Sequence, residues 1–210
     1  MHALIMAGGI GSRINLGEKP LISIRGRPMI AYVIDAFITA GYEPVVAASQ
    51  KTPMTMNWCR AQGIDAIKAE GGGYINDMVE AVKTLDERHP LFVCVSDIPC
   101  ITAEIIIKIA EAYHFSGKDA CSTWVPAHIF HSLRCSVTFQ QEVHGVDACP
   151  AGVNILRGDL IAQPQDEVQV LINEPGLALN VNTREDLVKA EDFFKRQFSV
   201  KSPGILNRNV

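Results

Sequence analysis

The stretch Leu4-Ile-Met-Ala-Gly-Gly-Ile-Gly-Ser-Arg13, followed by Glu18-Lys-Pro-Leu21, decides the fold of this chain. Its first four residues are apolar and predict a buried strand, and the glycines begin where that strand ends. Glycines at 8, 9 and 11 can adopt backbone angles closed to other residues, and they leave room for a large anion against the main chain. Arg13 offers a planar fork for phosphate oxygens, and Lys19 offers a compact charge. The pattern predicts a triphosphate site formed by Ala7, Gly8, Gly9, Gly11, Ser12, Arg13 and Lys19.

Two better-known nucleotide motifs do not fit this stretch. The dinucleotide fingerprint G-x-G-x-x-G fails because, counted from Gly9, the third glycine would fall at Ile14. The P-loop fails because no Gly-Lys-Ser/Thr occurs at the required spacing. The remaining alternative is an ordinary glycine-rich turn between a strand and a helix, with two solvated cations nearby.

Length and composition fit one soluble α/β domain. The chain has 210 residues, of which 48% are hydrophobic and 20% charged. A net charge of −4 argues against a nucleic-acid-binding protein. No apolar run reaches the ~18 residues that a membrane helix needs, so we expect no integral membrane segment and a cytoplasmic location. The six cysteines contain no Cys-x-x-Cys pair, which favours reduced, buried thiols over a disulfide framework, and His128 and His131 lack a third ligand nearby for a zinc site.

Strand and helix signals alternate along the first two thirds of the chain, which predicts a Rossmann-like sheet that is mainly parallel, with helices on both faces. After about residue 119 the rhythm changes, and one of the late strands is expected to run antiparallel. Strands are predicted there at Ala120–Val125, Cys135–Phe139, Gly152–Leu156 and Leu177–Val181. We expect a single domain over residues 1–198 and a loose tail over residues 199–210.

Polar and small residues follow the predicted strands at their carboxyl ends, where parallel sheets bind ligands. Ser49 and Thr52 suit the edge of a base or a ribose. Glu70 could accept hydrogen bonds from a guanine edge, and the glycines after it allow backbone to approach a flat ring, although a simple βα turn would look the same. The predicted nucleotide-binding residues of the later loops are Ser49, Thr52, Glu70, Gly71, Gly72, Gly73, Gly152 and Asn182.

Asp97 directly follows the strand Leu91–Val95. A carboxylate that emerges from a buried strand is costly unless it is paired, and beside a triphosphate the natural partner is Mg²⁺. Asp97 is therefore the predicted metal ligand. The alternative role for this side chain is to cap the helix that follows.

Several segments together resemble one family of nucleotidyltransferases. The opening loop and Ser96-Asp-Ile-Pro99 resemble the superfamily as a whole, and three further runs resemble archaeal GTP:adenosylcobinamide-phosphate guanylyltransferases, which are related in fold to molybdenum-cofactor guanylyltransferases. Those three runs are Gly72-Gly-Tyr-Ile-Asn-Asp77, Pro150-Ala-Gly-Val-Asn154 and Asn180-Val-Asn-Thr183. Residues 114–147 carry no matching motif, and the acceptor site is expected there.

The resemblance implies an enzyme that moves GMP from GTP to adenosylcobinamide phosphate, a phosphorylated corrinoid, with release of pyrophosphate. It implies catalytic roles for Arg13 and the glycine loop at the β- and γ-phosphates, for Lys19 at the α-phosphorus, and for Asp97 on Mg²⁺. A molybdenum-cofactor guanylyltransferase, a cytidylyl- or uridylyltransferase for a sugar or alditol phosphate, and a regulatory module that senses GTP without turnover remain alternatives. An apolar edge strand could also support a homodimer.

Overall fold

The fold was analysed in a computed structural model, which describes residues 1–9, 11, 14 and 16–200, with side chains through residue 196. The described strands are β1 (His2–Met6), β2 (Ser23–Ile24), β3 (Arg27–Pro28), β4 (Glu43–Ser49), β5 (Asp65–Ala69), β6 (Pro90–Val95), β7 (Ala120–Pro126), β8 (Gln141–Val143), β9 (Val146–Arg157) and β10 (Glu167–Leu171). The described α-helices are α1 (Met29–Thr39), α2 (Pro53–Gln62), α3 (Tyr74–Thr84), α4 (Ala103–Ser116), α5 (Ala127–Ser132) and α6 (Arg184–Val200).

One large sheet runs in the order β10-β7-β9-β6-β1-β4-β5, and β8 pairs with β9 as a hairpin. Strand β1 lies between β4 and β6 and is parallel to both. Strand β9 is antiparallel to both of its neighbours in this order, β6 and β7. The prediction of a mainly parallel sheet with one reversed strand is confirmed.

Helices cover both faces of the sheet because side chains alternate along each strand. Ala3 and Ile5 of β1 pack in a cluster with residues of α1 and α4, whereas Leu4 and Met6 pack in another cluster with residues of α3. Helix α6 closes a third cluster, in which Phe194 packs with residues of the β2–β3 ribbon.

The boundaries of α2 and α6 follow signals that are visible in the sequence. Helix α2 begins at Pro53 and ends at Gln62, directly before Gly63, which has a φ of +69°. Ahead of α6, the Asp186 carboxylate accepts from the Thr183 amide at 2.9 Å, and the Thr183 hydroxyl accepts from the Asp186 amide at 3.2 Å. This is the reciprocal pattern of a capping box, with Asp in place of Glu.

The late part of the chain departs from the prediction. Cys135–Phe139 is not a strand, and it runs as irregular chain after α5. The predicted strand Leu177–Val181 begins instead inside a 3-10 helix, Pro175–Ala178. Strand β10 and the β8–β9 hairpin were not predicted. No described helix combines the length and the apolar character needed to span a membrane.

Candidate active site

The glycine loop at the end of β1 leaves space for the side chain of Lys19. Gly11 has a φ of +66°, and a Cβ at this position would lie 2.6 Å from the Lys19 Cβ. Any other residue would push the Lys19 side chain aside, so Gly11 is required for packing as well as for backbone shape. Ser12 and Arg13 lie outside the described residues, and their assignment as phosphate-binding residues stays a prediction.

Lys19 is held by two side chains that come from distant parts of the chain. Its Nζ donates to the carboxylate of Asp97 and to Oδ1 of Asn182, at 2.7 Å from the latter. The side chains of Lys19 and Asp97 are only 13% and 16% exposed. In such a shielded place an ion pair is strong, and the charge of Lys19 is fixed at one point near the carboxyl ends of the strands. The structure therefore brings together Lys19, Asp97 and Asn182, as the sequence analysis expects.

Glu18 explains why Lys19 points into the site. The Glu18 carboxylate accepts hydrogen bonds from the backbone amides of Met54 and Thr55, at 2.7 and 2.6 Å, and from the Thr55 hydroxyl at 2.7 Å. These amides belong to the first turn of α2, where a negative charge is favourable. Glu18 thus fastens the loop to α2, and the next residue faces the opposite way, toward Asp97.

Asp97 lies one residue beyond Ser96 at the carboxyl end of β6, and its Oδ1 is buried. This oxygen has no hydrogen-bond partner among the described residues. The alternative role in capping α4 is filled by Thr102, whose hydroxyl accepts from the Ile105 amide. A buried carboxylate oxygen without a partner is unfavourable unless a ligand supplies one.

The described residues do not form a complete metal cage. They contain no group of three or more His, Cys, Asp or Glu side chains that could enclose a metal ion. Mg²⁺ in nucleotide sites is commonly held by one or two carboxylates together with substrate phosphates, and a single free oxygen on Asp97 fits that donor set.

The side chains of Ser49 and Thr52 are buried. Thr52 is fully buried, and its hydroxyl accepts from the Ser49 amide at 3.0 Å. The Ser49 hydroxyl donates to the Gly8 carbonyl at 2.9 Å. Both hydroxyls are already bonded inside the protein, where they support the glycine loop, and contact of these residues with a nucleotide stays a prediction. Ala7 is likewise buried and packs in the core beneath the loop.

The glycine segment after β5 lines a cavity at the carboxyl ends of the strands, while the residue before the segment does not. Gly71 and Gly73 line the cavity, and both have positive φ angles, +84° and +108°. Glu70 is exposed and does not line the cavity, so the predicted contact with a guanine edge has no support in its position. Gly72 does not line the cavity, and its amide donates to Asp77 at 2.8 Å.

Gly152 packs closely against the neighbouring strand. It lies in β9 with a φ of +77°, and a Cβ there would lie 2.7 Å from Cγ2 of Val95 on the neighbouring strand β6. Val95 in turn lines the nucleotide cavity. Gly152 is therefore needed for close packing of the two strands, and its contact with a nucleotide stays a prediction.

The resulting cavity has a volume of about 340 Å³ and lies at the carboxyl ends of the strands. Several of the side chains that line it were not predicted as site residues, among them Lys51, Tyr74 and Asp77. Desolvation of the phenol raises the pKa of Tyr74, with a further contribution from nearby Cys94 and Asp97. Lys51 and Asp77 could have been suspected from their positions just after β4 and at the start of α3.

A second, smaller cavity of about 120 Å³ lies beside the first. Its walls come from four segments: Phe130 of α5, the irregular chain after α5, residues 149–151 of β9, and residues 177–186 before and at the start of α6. Asn182 lines this cavity and also contacts Lys19. Lys19 and Asn182 therefore stand between the two cavities.

The comparisons with known proteins agree with this geometry. A family profile described as the MobA-like NTP transferase domain matches residues 3–173. The chain belongs to the MobA-like NTP transferase family. This membership makes it a nucleotidyltransferase and confirms the resemblance predicted from its motifs.

Relatives within the MobA-like family extend over nearly the whole chain. The adenosylcobinamide-phosphate guanylyltransferase of Methanocaldococcus jannaschii is 31% identical over 93% of this chain and 98% of its own length. A probable molybdenum cofactor guanylyltransferase of Thermococcus gammatolerans is 25% identical over 90% of this chain and 98% of its own. Among solved structures, HddC from Yersinia pseudotuberculosis, complexed with GMP-PN, superposes with a TM-score of 0.70 at 16% identity, over 92% of this chain and all of that one. The last comparison supports the fold alone.

Proposed function

We propose that this protein transfers GMP from GTP to adenosylcobinamide phosphate, giving adenosylcobinamide-GDP and pyrophosphate. The observation that carries the proposal is the contact of Lys19 with Asp97 and Asn182 between two neighbouring cavities. A transferase must hold a nucleotide on one side of its catalytic charges and an acceptor on the other. The 31% identity with the Methanocaldococcus jannaschii enzyme over almost its full length supports the choice of acceptor.

In this reaction an oxygen of the acceptor phosphate attacks the α-phosphorus of GTP. A bond forms between that oxygen and the α-phosphorus, and the bond from the α-phosphorus to the bridging oxygen breaks as pyrophosphate leaves. A phosphate monoester is already ionised at neutral pH, so the chain needs no general base. Its contribution is to position two anions and to offset their charge, which is how most phosphoryl-transfer enzymes act.

Lys19 is the described cation best placed for this task. Its Nζ lies at the junction of the two cavities, where the α-phosphorus would be approached from the acceptor side. The loop at Gly8, Gly9 and Gly11 supplies open backbone for the outer phosphates, and Arg13 is proposed to help it. Removing one such fixed charge costs about 3 kcal/mol of transition-state stabilisation.

Asp97 is proposed to hold Mg²⁺ through Oδ1, which has no hydrogen-bond partner among the described residues. When bound, the ion would neutralise negative charge on the phosphates. The amide of Val181 donates to the Asp97 carbonyl at 2.8 Å, which fixes this residue independently of its carboxylate. The Asp97 side chain can therefore exchange partners while its backbone stays in place.

The second cavity is the proposed place for the acceptor, within the stretch 114–147 and the loop before α6. A volume of about 120 Å³ is too small for a whole corrinoid, so the cavity would take its phosphate-bearing arm. Phe139, 53% exposed at the wall of this cavity, offers apolar surface to the rest of the acceptor.

The first test is isothermal titration of the protein with GTP, ATP, CTP and UTP, each with Mg²⁺, followed by pyrophosphate release with adenosylcobinamide phosphate. We expect selective GTP binding, and pyrophosphate release only when the acceptor is present. CTP or UTP selectivity would overturn the assignment in favour of a sugar- or alditol-phosphate enzyme. GTP binding without turnover on any acceptor would indicate a GTP sensor, and turnover with molybdopterin would indicate the molybdenum-cofactor branch of the family, which the Thermococcus gammatolerans relative represents.

The role of magnesium is tested separately with Asp97→Asn. We expect the variant to need at least ten-fold more Mg²⁺ for half-maximal turnover, because an amide oxygen is a weaker ligand than a carboxylate. Asp166→Asn is the matched control. Among the described residues, the Asp166 carboxylate forms an ion pair only with Lys118, and this pair is exposed. An unchanged Mg²⁺ requirement in Asp97→Asn would contradict the assignment.

A further inference from the structure

Asp77 is a buried carboxylate that touches two loops of the nucleotide cavity. It lies in the first turns of α3 and is 7% exposed. It lines the cavity, although neither strand periodicity nor the motifs of the opening loop point to it. A carboxylate so shielded from water must be compensated by donors inside the protein.

The donors come from the glycine segment after β5. The amides of Gly71 and Gly72 both donate to Asp77 Oδ1, at 3.0 and 2.8 Å. Two successive amides that converge on one anion form a nest, and here the anion is a side chain of the protein itself. Because these amides are occupied by Asp77, neither is free to bind a ligand.

The other carboxylate oxygen faces the phosphate loop. A Cβ at Gly8 would lie 3.4 Å from Asp77 Oδ2, and 3.2 Å from the Ser49 Cβ. Asp77 is thus packed between Gly8 at the end of β1 and Gly71 after β5. The Gly71 carbonyl is bonded in turn by Lys51 Nζ at 3.3 Å.

We infer that Asp77 is a positioning residue, which fixes the Gly71–Gly73 segment at a set distance from the phosphate loop and so determines how a nucleobase is held. The inference rests on the proposed function, in which GTP occupies this cavity with its phosphates at Gly8 and Lys19. Asp77 acts through the backbone of the glycine segment and not by contact with the reacting atoms. The substrate class that it serves is a purine nucleoside triphosphate whose base lies against that segment.

The consequence for kinetics is specific. A segment that contacts the base binds substrate and transition state equally, so its displacement raises KM and leaves kcat unchanged. In Asp77→Ala, two hydrogen bonds to a charged acceptor are lost, and we expect a rise of about ten-fold or more in KM for GTP. We also expect a smaller ratio of kcat/KM for GTP over ATP, while kcat stays within about two-fold of the wild-type value.

Two further substitutions separate position from charge. Asp77→Asn keeps an oxygen that can accept from Gly71 and Gly72, so a positioning role predicts a nearly unchanged KM. Asp77→Glu keeps the charge but moves the oxygens by one methylene, so the same role predicts a raised KM. The reverse order, a raised KM in the Asn variant and a normal one in the Glu variant, would show that the charge acts on the ligand and would overturn the inference. This pair decides the matter even if Asp77→Ala does not fold.

Glu80 is the matched control. Its carboxylate accepts from the amide of Glu70 at 3.0 Å, next to the same segment, but Glu80 does not line the cavity. Glu80→Ala should leave KM for GTP within about two-fold of wild type. A rise in KM equal to that of Asp77→Ala would mean that any weakening of α3 raises KM, and it would overturn the inference.

The wild-type protein in the same assay keeps this inference distinct from the proposed function. If the wild-type protein prefers CTP or UTP, the proposed function fails, and the ratio of KM values between Asp77→Ala and wild type is then measured with the preferred nucleotide. If GTP is preferred and that ratio is close to one, the proposed function stands and the positioning role of Asp77 is wrong.

Discussion

Lys19 depends on residues from four parts of the chain for its position. Gly11 leaves space for its side chain, and Glu18 fastens its loop to α2. Asp97 and Asn182 then bind its Nζ from β6 and from the loop before α6. A flexible lysine loses considerable rotamer entropy when it is fixed, and here that cost is met before any substrate arrives. The cation is therefore preorganised for the charge that develops during transfer.

Substitution of Lys19 by alanine should lower kcat by about a hundred-fold, because it removes one fixed charge from the transition state. The measurement is pyrophosphate release at saturating GTP and acceptor, with thermal unfolding to confirm that the variant is folded. Lys118→Ala serves as control, since Lys118 forms an exposed ion pair with Asp166 far along the chain. Full turnover in folded Lys19→Ala would show that the cation has no catalytic role.

A stability prediction concerns Gly152. Gly152→Ala combines a positive φ with an overlap against Val95, and we expect it to lower the free energy of unfolding by about 2–3 kcal/mol. Gly145→Ala, at a φ of +80° with no neighbouring atom within 4 Å, carries the backbone strain alone and should cost about 1 kcal/mol. Urea unfolding measures both. Equal losses in the two variants would mean that the contact with Val95 is unimportant.

At the scale of elements, the start of α2 and the start of α6 both serve the site. The amides at the start of α2 receive Glu18, which sets the direction of the Lys19 loop. The Thr183–Asp186 box starts α6 and also binds the Asn182 amide at 3.1 Å, which fixes the loop that carries Asn182. In each case a helix terminus orients a segment that has no regular structure of its own.

Glu18→Ala tests the first of these links. It leaves two amides of the α2 terminus without their acceptor, and we expect a loss of about 1–2 kcal/mol in stability. Because the Lys19 loop is then untethered, kcat should fall as well, although less than in Lys19→Ala. Glu142→Ala, in the exposed middle of β8, is the comparison variant for urea unfolding and pyrophosphate release. A stability loss without any change in kcat would show that the tether does not orient Lys19.

At the scale of the whole molecule, the candidate active site and the pair His2–Glu87, which stabilises the fold, lie at opposite ends of the central strands. The nucleotide cavity lies at the carboxyl ends of β1 and β6, whereas His2 and Glu87 meet at the amino ends of these two strands. The Glu87 carboxylate is partly desolvated, which would raise its pKa, but hydrogen bonds from His2 and His89 outweigh that effect and the pKa is lowered. This pair joins the first strand to the turn that leads into β6.

The lowered pKa of Glu87 predicts how stability depends on pH. A carboxyl group whose folded-state pKa is depressed contributes stability above its unfolded pKa, and this contribution is lost as pH falls through the folded value. The difference in unfolding free energy between wild type and Glu87→Gln should therefore be largest near neutral pH and shrink below the ordinary value of 4.5. Urea midpoints measured from pH 7 down to about pH 3.5 test this. A difference that grows toward acid would contradict the assignment.

By itself the sequence determined the class of the fold, the glycine loop with Lys19 and the carboxylate at the end of β6. It also determined the starts of α2 and α6. Each of these features depends on local chemistry, namely apolar periodicity, glycine and proline geometry, and capping side chains. Only the tertiary structure decided which polar residues line the cavity. Ser49 and Thr52 turned inward, Glu70 pointed away, Gly152 packed on Val95, and Asp77 emerged between two loops. The edge strand β10 and the irregular chain at 135–139 likewise depend on pairing partners that are distant in sequence. Contacts of this kind join residues far apart along the chain, and local patterns carry no information about which of them will meet.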